Sequence, residues 1–221
     1  MRQFEQTISQ LTKPLNGQYP RPWITKLTNP LDADVFIVGK NQRNGYDCRC
    51  LGSHERHLDA LFNRNGENCR QMYDEMTAGK ASRTRKNTDR FVQMLEGKGV
   101  DKILETNVIC YSTPMSADLK LTENIGGSKR GEEIFRYLLS QIRPKLLVVH
   151  GAGSTKTLAK ILGAVLGGGP QSPDDLQTQD VGGTLVAVIP SLAPPAYNKW
   201  SRWSDEHLSR LAAKLAGHLA R

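Results

Sequence analysis

The chain has 221 residues, 38% of them apolar, and a formal charge of +8. That length supports one sizeable core, so a single domain over residues 1–221 is expected. No run of about 18 apolar residues occurs, which excludes a spanning helix. Met1–Gln6 carries no apolar signal region, so the expected location is the cytoplasm or the nucleoid, with no membrane contact and no obligate protein partner. The basic excess suits a polyanion, because each neutralised phosphate releases counterions, although many soluble proteins are basic without one.

In chain order, the first apolar run is Val35-Phe36-Ile37-Val38, a buried strand. A long connection with helices follows. It carries Cys48 and Cys50 with His54 and His57 nearby, and then a basic patch of Lys80, Arg83, Arg85, Lys86 and Arg90. Cys48-x-Cys50 is not a standard ligand spacing, so neither metal nor cofactor is expected, and the four cysteines are expected to be reduced. Phe91 and Leu95 belong to a helix after the basic stretch, and Ile103 to Ile109 is the second strand. Ile134, Leu138 and Ile142 recur at helical spacing up to Arg143-Pro144, where proline stops the helix. Leu146-Leu147-Val148-Val149 is the third strand and Ser154 to Leu166 the next helix. Gly167 to Gly183 reads as loop, Leu185 to Ile189 as the fourth strand, and Ser204 to Arg221 as a capped last helix. Continuous apolar strands alternating with helices predict an α/β fold: a three-layer α/β/α sandwich around a central, mainly parallel four-stranded sheet.

Such sheets bind ligands beyond the carboxyl ends of their strands, so the residues following each strand matter most. After the first come Gly39-Lys40-Asn41-Gln42-Arg43-Asn44-Gly45, either a plain asparagine turn or an amide presented at the sheet mouth. Asn107 interrupts the second run and must find partners, either a neighbouring loop or the edge of a base. After the third strand, small residues lead to Ser154-Thr155-Lys156, an ordinary capped helix or a helix end that holds a phosphate. The spacing there is not that of a nucleotide-triphosphate loop. After the fourth come Pro190-Ser191-Leu192 and two further prolines, a stiff loop whose Leu192 either packs at home or serves as an apolar wedge.

Taken together, these segments resemble the uracil-DNA glycosylase superfamily over about Val35 to Tyr197. Thr106-Asn107-Val108-Ile109 and then Arg143-Pro144-Lys145, with Gly151-Ala152, are similar to the thermostable and iron–sulfur branches. Gly39-Lys40-Asn41 looks more like the mismatch-specific and single-strand-selective branches, and Pro190-Ser191 resembles the family's His-Pro-Ser loop. The resemblance implies a base-flipping enzyme, since a stacked base cannot be reached. Asn41 would position or polarise the attacking water, and Asn107 would bond the extruded base, with Gly39, Gln42, Arg43, Tyr46 and His54 around it. Ser154, Thr155, Lys156, Pro190 and Ser191 would hold flanking phosphates, and Leu192 would fill the vacated gap. The basic patch aligns with no equally basic element of the family: it is either a solvated loop and helix face or, in a DNA enzyme, Arg83, Arg85 and Lys86 would clamp the DNA backbone or a polar adduct on the base.

The departures bear on substrate. Gln42-Arg43 replaces the family's Pro-Gly, and His54, with Tyr46 as second choice, falls near the stacking phenylalanine. Ile189 stands where the family histidine would stabilise a uracil anion, a loss worth about two to three orders of magnitude. The four cysteines do not match the iron–sulfur spacing, so no cluster is expected. The expected activity is therefore hydrolytic excision of a modified pyrimidine, such as a 5-substituted or hypermodified phage cytosine removed in antiphage defence. A conventional uracil repair enzyme, a catalytically silent DNA-binding module and a small-molecule nucleotide enzyme are the alternatives.

Overall fold

A computed structural model describes residues 1–220. The elements in chain order are α1 (Arg2–Leu11), β1 (Gln18–Tyr19), β2 (Ile24–Thr25), β3 (Val35–Gln42), β4 (Tyr46–Asp47), α2 (Cys48–Leu51), α3 (His54–Leu61), α4 (Cys69–Met76), α5 (Arg83–Glu96), β5 (Ile103–Ser112), α6 (Gly127–Ile142), β6 (Leu146–His150), α7 (Ala152–Leu162), β7 (Thr178–Val181), β8 (Thr184–Ile189) and α8 (Ser204–Leu219). Short 3-10 turns occupy Pro30–Asp32, Ser116–Lys120, Thr122–Asn124 and Ala196–Lys199. The main sheet has the order β2-β5-β3-β6-β8-β7 and is flanked by helices, a mainly parallel α/β/α arrangement. Among the described residues, no helix is long and apolar enough to cross a membrane.

All four expected strands form, because each is a run of apolar side chains that can be covered on both faces. Leu146 to Val149 are at most 1% exposed. In register, β6 lies between β3 (Val35↔Leu146) and β8 (Leu146↔Leu185, His150↔Ile189), both parallel. The sheet has six strands rather than four. The additions are β2, antiparallel to β5, and β7, antiparallel to β8. The segment that reads as loop from Gly167 to Gly183 thus contains a strand, Thr-Gln-Asp-Val, whose half-exposed and exposed residues pair through the backbone instead of burying an apolar face. Two strand ends also shift. β3 continues through Gly39, Lys40 and Asn41 to Gln42, so these residues are strand and not turn, and β5 runs on to Ser112.

The chain packs as two compact units. The first comprises Met1–Ala33, Gly39–Lys80 and Leu104–Arg143. Its α1 packs on α6, with Phe4 stacked on Trp23 at 6.0 Å and the Trp23 indole N–H donating to Leu61 O at 2.9 Å. Helix α6 lies tight on β5. A Cβ on Gly131 would sit 2.7 Å from Cys110 N, and one on Gly127 would sit 2.4 Å from the Tyr111 ring. Arg143 caps α6 in the left-handed conformation at φ 51°, and Pro144 prevents continuation. A second cluster joins Tyr19, Ile24, Tyr46, Leu51, Cys69, Met72 and Tyr73.

The second unit comprises Asp34–Val38, Ala81–Ile103 and residues 144–220. Phe91 and Leu95 of α5 meet Leu208, Leu211 and Leu215 of α8 over β3, β6 and β8. The basic stretch is not a loop before a helix. Ser82 caps α5 by accepting from Arg85 N, so Arg83, Arg85 and Lys86 form the first turn itself. Helix α7 begins at Ala152, two residues before the expected start, and ends at Leu162, where Gly163 caps it at φ 64°. The last helix ends at Leu219, and the expected terminus at Arg221 lies outside the described residues.

Candidate functional site

In the first unit the candidate chemistry centres on Asn41. Its carboxamide is half-buried at the end of β3. The Nδ2 group donates to Thr113 Oγ1 at 2.8 Å and to Gln42 O at 3.3 Å, while Oδ1 accepts from Ser116 Oγ at 2.7 Å. Thr113 has one hydroxyl proton, and it goes to Met115 O at 2.7 Å. Thr113 can therefore only accept from Asn41, which fixes the amide with nitrogen toward Thr113 and oxygen toward Ser116. Both amide protons and one oxygen lone pair are engaged. What remains is one acceptor position on Oδ1, suited to orienting a water proton. A neutral amide is no general base, so any hydrolysis here must draw its rate from charge stabilisation and positioning.

The other sequence-derived residues of this unit divide. Arg43 is exposed. Gly39 is buried within β3. Asn107 is half-buried in β5; its carbonyl accepts from the Cys110 thiol at 3.2 Å, and its side chain makes no hydrogen bond among the described residues. Its neighbour Thr106 ties β5 down by donating to Pro22 O at 2.7 Å. Gln42 is not a base-binding group as placed: it is 5% exposed, and its Nε2 donates to Arg21 O at 2.6 Å. Alternation along β3 turns it inward from Asn41. Tyr46 is likewise no stacking platform, being 2% exposed with the Arg21 guanidinium 5.0 Å over its ring. His54 gives one ring face to Tyr19, at 5.5 Å and 6° between planes. Its Nε2 lies 3.0 Å from Thr12 Oγ1, whose own proton goes to Ile8 O, so His54 is the donor.

Sequence reading missed the centre of this cluster. His57 is fully buried with both ring nitrogens lacking a hydrogen-bond partner, and burial, with His54 and Arg21 nearby, holds its pKa down to about 3. Arg21 is 7% exposed and lies 5.0 Å from the rings of both Tyr46 and Tyr73. Cys69 and Cys110 are buried thiols pushed up to about 11 by desolvation. Thr113 and Ser116 were missed as well. Thr113 is within reach of the strand-end logic that singled out Asn41, since it directly follows β5.

In the second unit, the early start of α7 turns Ser154 and Thr155 inward, at 3% and 9% exposed. Thr155 spends its hydroxyl on Gly151 O at 3.1 Å. Neither side chain is a phosphate ligand as placed; the exposed residues at this helix end are Ala152, Gly153 and Lys156. Gly151, at φ 86°, packs where a Cβ would be 3.2 Å from Ser191 Cβ, so the α7 start and the Pro190-Ser191 loop adjoin. Ser191 and Pro190 are half-buried, and Ser191 Oγ accepts from Ala193 N at 3.1 Å. Leu192 is not an exposed wedge. It is 0% exposed in the core with Tyr197 and Trp200, and Asn87 donates to its carbonyl at 2.8 Å. Ile189 is buried too.

Arg83 and Lys86 are exposed on α5, whereas Arg85 is not a DNA clamp as placed. It is 8% exposed and pairs with Asp89 at 2.8 Å. Burial, with Arg85 nearby, holds His150 at the end of β6 down to about 4. A cleft of about 260 Å³ along β7 and β8, lined by Leu166, Gln177, Thr178 and Val188, contains none of the candidate residues. Among the described residues, no group of three or more His, Cys, Asp or Glu side chains is arranged to hold a metal ion. No family model matches the chain, and no curated protein matches it.

Proposed function

We propose that the protein is a monofunctional DNA glycosylase that flips a modified pyrimidine out of DNA and hydrolyses its N-glycosidic bond, leaving an abasic site. The observation that carries this reading is the Asn41 carboxamide, oriented by Thr113 and Ser116 so that a single Oδ1 acceptor position is left. A water held there attacks C1′ of the sugar as the base departs. The exposed cations Arg43, Arg83, Lys86 and Lys156 and the +8 formal charge supply the affinity for the phosphate backbone. Asn107, with an unspent amide, reads the base edge. By sequence, Ile189 stands where the resemblance expects a histidine and has no hydrogen-bond donor for a uracil anion, so the resemblance favours a substituted cytosine such as a phage base over plain uracil.

The test is a panel of oligonucleotides and phage genomic DNAs carrying different modified pyrimidines, scored for abasic sites. Wild type should yield them on at least one member, and Asn41→Ala should lower the rate by about two to three orders of magnitude. Robust release of uracil from single- and double-stranded DNA would instead identify a conventional repair enzyme. Salt-dependent DNA binding with no product on any member would identify a catalytically silent module, the reading that the missing donor at Ile189 favours.

A further inference from the structure

With Leu192 packed inside, the side chain that would fill the gap left by a flipped nucleotide has no owner on the final loop. The first unit offers one. Among the described residues, five large apolar side chains are exposed, and three of them lie on one segment after β5: Met115 at 68%, Leu121 at 46% and Ile125 at 72%. Met115 sits between the two residues that hold the Asn41 carboxamide, Thr113 and Ser116.

Its backbone is pinned while its side chain is largely exposed. Met115 N donates to Asp118 Oδ2 at 2.8 Å, and Met115 O accepts from Thr113 Oγ1 at 2.7 Å and from Asp118 N at 3.0 Å. An exposed methionine on a fixed backbone gains nothing for the free protein, but it inserts into a base stack without a further cost in backbone ordering. Methionine is among the apolar residues used as wedges, and its unbranched, polarizable side chain adapts to an irregular gap. The surrounding charge suits DNA. Lys120 lies on the same turn, and Lys40 and Arg43 flank Asn41 on the chain. Of the two carboxylates on the segment, Asp118 is turned to the Met115 amide, and Glu123 lies toward its far end.

We propose that Met115 is the wedge that enters the duplex where the target nucleotide leaves, with Leu121 and Ile125 as its apolar flank. This rests on the glycosylase reading above. The test compares a short duplex carrying one tetrahydrofuran abasic-site analogue with the intact duplex and with the single strand, in fluorescence anisotropy. Wild type should prefer the gapped duplex by about tenfold, the scale of one stacking contact. Met115→Ala should abolish that preference and leave single-strand affinity unchanged, and Met115→Leu should restore it. Because Met115 is exposed, circular dichroism should show the variants folded as wild type.

A gap preference that survives Met115→Ala overturns the wedge and leaves Asn41-dependent excision standing as a separate question. A wild type without gap preference also overturns it. Self-association in sedimentation velocity that Met115→Ala abolishes, with gap binding unaltered, would assign the patch to a second copy of this chain and overturn it too. Excision of a modified base that is lost in Asn41→Ala, but equal on duplex and single strand in Met115→Ala, would uphold the enzyme and reject the wedge.

Discussion

The first turn of α5 makes a prediction in which stability and binding move in opposite directions. Arg83, Arg85 and Lys86 crowd the positive end of the helix dipole, and no acidic residue lies in that turn. Arg85 is compensated by Asp89, but Arg83 is exposed and has no such partner among the described residues. A cation in the first turn costs about 0.3–1 kcal/mol, and an anion there gains a similar amount. Arg83→Glu reverses that charge and places a glutamate three residues before Lys86, a spacing worth about 0.2–0.5 kcal/mol. The free protein should gain roughly 1 kcal/mol, which raises Tm by about 2–4 °C for a chain of this size. If Arg83 instead serves a phosphate, the same change should weaken DNA binding and lower the slope of log K against log salt by about 0.9. Calorimetry at low and at high salt measures the first effect, which should shrink with screening. Anisotropy across a salt series measures the second. A variant that is more stable but binds DNA with an unchanged salt slope would refute the assignment of this turn to the phosphate backbone. A variant that melts earlier would refute the electrostatic argument itself.

Other outcomes are equally specific. His57 has a folded pKa of about 3, below the unfolded value of about 6.5, so the fold favours the neutral ring. Its contribution is intact near pH 7 and is lost as pH falls through 6.5 toward 3, by up to about 5 kcal/mol. His150, at about 4, acts in the same direction. A pH series of melting curves should show the loss between pH 6.5 and 4, and a His57→Phe protein with the same pH slope would contradict it. Leu192→Ala should cost about 2–5 kcal/mol of stability with DNA affinity unchanged below the melting range, since the side chain is core. Gly131→Ala drives a methyl into the β5 backbone at Cys110 and should cost roughly 1–3 kcal/mol in urea unfolding.

The strands of the sheet core were legible because burial on both faces leaves an unbroken apolar run, as in Leu146–Val149. The edges were not. Strand β7 is polar and partly exposed, and β2 is only two residues long, so neither carries a periodic signature. Asn41 was legible because it follows an obvious strand, but its partners Thr113 and Ser116 lie 72 and 75 residues away, and only the fold brings them together. Side-chain direction was the least legible feature. Gln42 and Arg85 are polar residues next to exposed ones, and each is turned inward by the period of its element, a strand for Gln42 and a helix for Arg85. The sequence left Leu192 open between a wedge and a packed residue because prolines mark a loop, and this loop folds back so that Trp200 donates to Ser191 O at 2.9 Å.

The direction of one hydroxyl proton ties the chemical identity of residue 41 to the order of the neighbouring turn. Thr113 gives its proton to Met115 O and so presents only a lone pair to residue 41. An amide nitrogen satisfies that lone pair, and a carboxylate oxygen would repel it. An aspartate could bond Thr113 only by pulling the proton away from Met115, releasing one of the bonds that fixes the Met115 backbone. The fold therefore selects asparagine over its isosteric acid at this position, and an Asn41→Asp protein should differ from wild type in the order of residues 113–116 as well as in charge.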